Sequence, residues 1–245
     1  MALPKPNGEF DWVQESWGAA LRCRALTDMA HSFSTRALTL EAMMAHALGV
    51  EPEALARMRQ VHCADVFVAT KKGEQPWPEA DIAVTDDPTI AVSVRTADCV
   101  PILLADRRTG AVAAIHAGWK GTAAGAAIVA VRALTSRYGT NPADVVAAVG
   151  PSIGPCCYEV GANLAAHFSS HPEASTWFTR DAKPHLDLWR ASRDQLARAG
   201  IPPEQVHVCA LCTFDHPALF HSFRRDGKNA GRLVSAIRSA PGRTL

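Results

Sequence analysis

The chain has 245 residues, 48% hydrophobic and 20% charged, with 25 Lys+Arg against 24 Asp+Glu for a formal net charge of +1. That apolar fraction suits a folded domain with a sizeable core and excludes a disordered tail, a collagen and a disulfide-stapled miniprotein. No basic run offers a footprint for nucleic acid, and no window of about 18 uninterrupted apolar residues suits a membrane helix, so neither partner is expected.

The first twelve residues lack a signal-peptide core. Seven cysteines cannot all pair, so a cytoplasmic protein with free thiols is expected. No repeat or linker interrupts the sequence, and a single catalytic domain over 1–245 is expected.

In chain order, residues 39–50 read as a helix with Thr39 as N-cap and Gly49 as its stop. Apolar runs of strand length follow: DVFVAT (65–70), DIAVT (81–85), IAVSVRT (90–96), VPILLAD (100–106) and AVAAIHA (111–117). A second helix starts after the Gly118 and Gly121 segment and ends near Gly139. DVVAAVG (144–150) reads as a strand and 160–168 as a short helix. A third helix, 186–201, has Leu188, Ser192, Leu196 and Ala199 at helical spacing, with Asp187 as cap and Gly200 at its end. VHVCAL (206–211) and LFHSF (219–223) read as strands, and 231–239 as a last helix. Clustered strands with helices after them point to α+β or mixed α/β layers instead of a regular βαβ alternation.

One hairpin can be followed closely. Runs 100–105 and 111–115 flank a polar loop from Asp106 to Gly110. Pairing Ala105 with Ala111 places Cys99 opposite Ala117, next to His116. Opposed or diagonal side chains lie roughly 4.5 to 8 Å apart, so a thiolate and an imidazole could share one ion.

His62, Cys99 and His116 all sit where an apolar strand meets a loop of small or polar residues. Imidazole and thiolate are zinc donors, and three protein ligands with one open position is the catalytic pattern. Cys209 and Cys212 form a CxxC pair that reads as strand. Cys156 and Cys157 sit in the Gly- and Pro-rich GPSIGPCCYEVG; neighbours on an extended chain point oppositely, so at most one is expected to face a site. Arg36, Lys120, Arg224, Arg225 and Lys228 are the cationic candidates. The glycine-rich stretch at Lys120 lacks P-loop spacing. There is no His-x-His pair of the multicopper type.

The motifs HSFSTR, RQVHCADV, RTADCVPILLAD, AIHAGWKGTAAG, GPSIGPCCYEVG and CTFDHPALFHSFRRDGKNAGR resemble, in order, those of the YfiH family, from about residue 31 to 232. The resemblance implies a zinc site (copper being the other candidate) at His62, Cys99 and His116. It implies phosphorolysis of adenosine, inosine, guanosine and methylthioadenosine, with adenosine deaminase activity beside it. The implied fold is an α/β sandwich like the catalytic domain of cytotoxic necrotizing factor, and the implied partners are purine nucleosides and phosphate, acted on by a monomer or small homo-oligomer.

For that chemistry Arg36 and Arg225 are assigned to phosphate or ribose, and Asp98 is the carboxylate that moves a proton or orients a ligand. Ser32 and Cys63 stand where the family usually has glycine, and Ala230 departs from the common TGR ending; Ser32 and Cys63 are expected to reshape the pocket. The competing functions are a cysteine amidase acting on a cell-wall precursor through Cys99 and His116, a copper-dependent polyphenol oxidase, and a non-enzymatic metal-buffering protein.

Overall fold

The computed structural model describes residues 3–180 and 183–240. Its strands are β1 (Phe10–Glu15), β2 (Gly18–Cys23), β3 (His31–Ser34), β4 (Leu55–Ala56), β5 (Val66–Val68), β6 (Ile82–Thr85), β7 (Ala91–Thr96), β8 (Val100–Asp106), β9 (Val112–Ala117), β10 (Val145–Val149), β11 (Val206–Val208) and β12 (Leu233–Arg238). Its helices are α1 (Glu41–Ala47), α2 (Trp119–Ala123), α3 (Ala126–Tyr138), α4 (Leu188–Arg198) and α5 (Phe223–Asp226). The strands form two six-stranded sheets, β1-β2-β3-β12-β7-β4 and β11-β10-β8-β9-β6-β5.

Side-chain alternation builds the layers. Along β8, Leu103 and Ala105 join Phe33, Val92 and Val94 of the other sheet in the inter-sheet core. Val100, Ile102 and Leu104 pack on the opposite side against Ala127, Val131 and Leu134 of α3 and Leu188 and Leu196 of α4. The outer face of the first sheet is covered in the same way by Met44 and Ala45 of α1. The result is the expected mixed α/β sandwich, with helices outside two facing sheets. No helix among the described residues is long and apolar enough to cross a membrane.

Several expected elements differ. Residues 233–238 form β12, paired with both β3 and β7; burial on both faces erases the period that separates a strand from a helix. Residues 219–222 are not a strand, because Phe220 turns back to donate its N–H to the His216 carbonyl. The helix expected after Gly121 is split into α2 and α3 at Gly125, which has φ 75° and is the left-handed position glycine adopts readily. α1 starts after Leu40 with no side-chain cap, so Thr39 does not cap it. Asp187 does cap α4, accepting the Arg190 N–H at 2.9 Å.

Candidate active site

The core strands deliver two of the expected donors. The observed register pairs Val100 with Ala117 and Pro101 with His116, one residue away from the expected pairing. The Asp106 backbone stays in the ladder, donating to the Ala111 carbonyl, while its carboxylate accepts the Arg108 and Thr109 amides. Cys99 therefore falls opposite Gly118, diagonal to His116. Strand parity puts both on the inter-sheet face. Gly118 makes the room: a Cβ there would lie 2.8 Å from Cys99 Sγ and 3.4 Å from the His62 ring.

His62 arrives from the loop between β4 and β5 at φ 65°, an uncommon conformation for a non-glycine residue. Asp81, fully buried at the start of β6, explains how it is held. Its Oδ2 accepts the amides on either side, Val61 N–H at 3.0 Å and Cys63 N–H at 2.9 Å, while Oδ1 lies 2.5 Å from His116 Nδ1. One carboxylate thus orients two donors and leaves Nε2 of His116 for a ligand. The donor atoms of His62, Cys99 and His116 lie within 4.8 Å of one another, a set that could hold a metal ion.

Burial pushes the Cys99 thiol up, but His116 and His62 beside it outweigh this and hold it at about 6. Burial pushes the His116 imidazole down, and Cys99 and Asp81 more than reverse that. Both shifts run toward the charged forms, thiolate and imidazolium.

A cavity of about 960 Å³ opens over these residues. Trp77, Trp119, Tyr158 and Phe223 give it aromatic faces, and Arg59, Arg95, Lys120, Arg224 and Arg232 give it positive charge. Some of these cations are already committed: Arg59 pairs with Glu79 and Arg95 with Glu41. Lys120 lies over Trp119 and Arg224 over Tyr158, at 5.6 and 5.0 Å from the ring centres.

The other expected site residues are placed differently. Arg36 donates to the Pro217 carbonyl, and Arg225 donates to the carbonyls of Thr213, Phe214 and Phe220 and pairs with Asp226. Both guanidinium groups brace the 213–222 loop and lie outside the cavity lining. Asp98 lines the cavity at φ 86°, yet both of its oxygens are engaged, by the Thr213 hydroxyl at 2.6 Å and by the Ser222 hydroxyl and Arg224 amide. Through these three bonds it anchors the backbone beside Cys99. Cys63 donates its thiol to Asp81 at 3.2 Å, and Ser32 is buried in β3 opposite Ala236. Neither lines the cavity.

Asp81 is the residue that sequence reasoning passed over. The pairing of Ile82 with Ile115 sets it next to His116, so a register for β6 and β9 would have exposed it.

A family model described as multi-copper polyphenol oxidoreductase laccase matches residues 35–240. The chain belongs to this family. Among laccase-family relatives, a purine nucleoside phosphorylase of Streptomyces coelicolor is 39% identical over 197 residues, covering 80% of this chain and 79% of the relative. One of Bacteroides thetaiotaomicron is 39% identical over 161 residues, covering 64% of this chain. The matches span 60% of the Bacteroides protein and 45% of a Mus musculus relative that is 34% identical. The solved structure of YlmD from Geobacillus stearothermophilus superposes with a TM-score of 0.85 at 29% identity, covering 93% of this chain and 98% of that one. Bacillus licheniformis YfiH superposes with a TM-score of 0.84 at 28% identity, covering 93% and 97%.

Proposed function

We propose that the chain is a zinc-dependent purine nucleoside phosphorylase acting on adenosine, inosine, guanosine and methylthioadenosine, with adenosine deamination as a companion activity. The observation that carries this reading is the meeting of three nitrogen and sulfur donors with a cavity lined by both aromatic faces and cations. Relatives of 32 to 39% identity bear the phosphorylase name, which supports it.

His62, Cys99 and His116 fit zinc by donor type, by number and by the glycine cradle at Gly118. When bound, the ion supplies a Lewis acid that draws charge from a substrate oxygen or nitrogen. The remaining roles belong to the chain. Asp81 keeps His116 in one tautomer. Trp119 and Tyr158 offer faces for a purine. Lys120 and Arg224 line the cavity, Arg224 with one guanidinium nitrogen on the Glu159 carbonyl and the rest of its fork available, and they are assigned to phosphate at the C1′ face of the sugar in place of Arg36 and Arg225. A phosphate oxygen bonds to C1′ while the C1′–N9 bond breaks, and the base leaves with the bonding pair and takes a proton from solvent. The products are the free purine and ribose 1-phosphate. Deamination of adenosine is the companion reaction in this reading, and the phosphorylase name borne by the relatives supports phosphorolysis as the principal one.

The test is product identification from adenosine with zinc-loaded protein. Adenine and ribose phosphate that form only when phosphate is present are the expected result. Inosine alone would make the enzyme a deaminase, and no product would move the assignment to a metal-binding protein.

A second reading has its own observation: Cys99, His116 and Asp81 form a nucleophile, base and orienting carboxylate. This favours an amidase acting through Cys99, whose thiolate is free only when no metal holds it. A thioester trapped on Cys99 in active, metal-free protein would establish it over the phosphorylase.

A further inference from the structure

A second set of soft donors meets on the loop that follows β10. The chain turns sharply there, with the Cys157 and Tyr158 amides both donating to the Gly154 carbonyl at 3.0 Å. Because this stretch is a turn and not extended, Cys156 and Cys157 do not point apart as expected; their sulfurs are 3.4 Å from each other. The CxxC pair divides instead. Ala210, at φ 54°, bends the chain between Cys209 in the inter-sheet core and Cys212, whose backbone bridges to Ser152. Asp215 completes the group, with its oxygens 3.1 Å from Cys157 Sγ and 3.3 Å from Cys156 Sγ.

The four donor atoms of Cys156, Cys157, Cys212 and Asp215 lie within 4.8 Å of one another. Zinc sits about 2.3 Å from sulfur and about 2.0 to 2.2 Å from a carboxylate oxygen, so a tetrahedral site has donor separations of roughly 3.5 to 3.8 Å. The observed 3.1 to 3.4 Å contacts need to open by only a few tenths of an ångström. Cys212 is buried while Cys156 and Asp215 are exposed, which gives an ion a fixed floor and an entrance from solvent.

We propose that Cys156, Cys157, Cys212 and Asp215 form a second, closed binding site for a soft divalent cation, Zn2+, apart from the His62, Cys99 and His116 cluster. Three thiols release their protons to solvent as the sulfurs bind, the carboxylate supplies the fourth donor, and nothing is oxidised or reduced. With all four positions filled by protein, no place remains for substrate, and the ion is structural. It staples the loop carrying Ile153 and Tyr158 of the cavity wall to the segment whose Thr213 hydroxyl fixes Asp98. The site is therefore a clamp on the geometry beside Cys99.

The experiment is a metal count on reduced, full-length protein stripped of metal and reloaded with Zn2+. The wild type is expected to hold two equivalents, Cys99→Ala one, the Cys156→Ser, Cys157→Ser double variant one, and the triple variant none. Cobalt substitution of Cys99→Ala should give thiolate-to-metal absorption that the triple variant lacks. Asp215→Asn keeps every sulfur and should weaken affinity without unfolding the chain. A wild type with one equivalent, kept in Cys99→Ala and lost in the double variant, would still support the clamp while removing zinc from the active site. A folded Cys99→Ala that binds no ion would overturn the proposal, as would a double variant that still holds two. So would a thiol count two short with no second metal, which identifies a disulfide.

Discussion

The two cysteine clusters use similar atoms in opposite ways. His62, Cys99 and His116 are presented by strand ends and a strained loop, braced by the buried Asp81, and face a cavity. Cys156, Cys157, Cys212 and Asp215 come from a surface turn and an irregular segment, and close on one another. Each has a glycine beside a sulfur, but a Cβ at Gly118 would first meet Cys99 Sγ at 2.8 Å, whereas one at Gly154 would first meet the Trp189 ring at 2.6 Å. The difference teaches that chemistry requires an unfilled position with space over it, supported from behind. A full donor set on the surface can only hold the chain together.

The largest effect that would sharpen this contrast is expected from Gly118→Ala. The added methyl has no room against Cys99 Sγ, and such overpacking costs about 1 to 3 kcal/mol. Zinc should be lost from the active-site cluster, with turnover, while the second cluster keeps its ion; metal analysis and an activity assay read both at once. If Gly118→Ala keeps full activity, the cradle has no bearing on the site.

Asp81→Asn should come next. It preserves the shape but weakens the orientation of His116 and of the His62 loop, and loss of such a partner typically lowers metal affinity roughly 10- to 100-fold. Competition titration against a chelator measures it. An unchanged affinity would show that Asp81 serves the fold alone.

The smallest effect is expected at the cavity wall. Lys120→Ala should raise the KM for phosphate roughly 10-fold, about the worth of one hydrogen bond to a charged group, with zinc content unchanged. A raised KM for the nucleoside alone would move Lys120 from the anion to the base.

Donor chemistry made the grouping of His62, Cys99 and His116 legible in the sequence, since all three stand where strands meet polar loops, and the family motifs converge on the same three. The mixed α/β layering was legible in the apolar runs that became β6 to β10, and the sandwich came from the family resemblance. What failed depends on tertiary pairing. Asp81 looks like an ordinary strand start until β6 is laid against β9. Arg36 and Arg225 carry forks suited to phosphate, but nearby carbonyls use them first. Cys156 and Cys157 required knowledge of the Gly154 turn. The N-terminal hairpin of β1 and β2 went unread, since its strands FDWVQE and GAALRC bury residues unevenly.

Phosphorolysis at this site is tested most directly by hypoxanthine release from inosine at graded phosphate, by zinc-loaded wild type and by Cys99→Ala. Inosine has no amine to lose, so deamination cannot contribute. Release that saturates with phosphate, yields ribose 1-phosphate in equal amount and vanishes in Cys99→Ala is the expected result. Release that ignores phosphate, or that persists at the same rate in Cys99→Ala, would contradict phosphorolysis at this site.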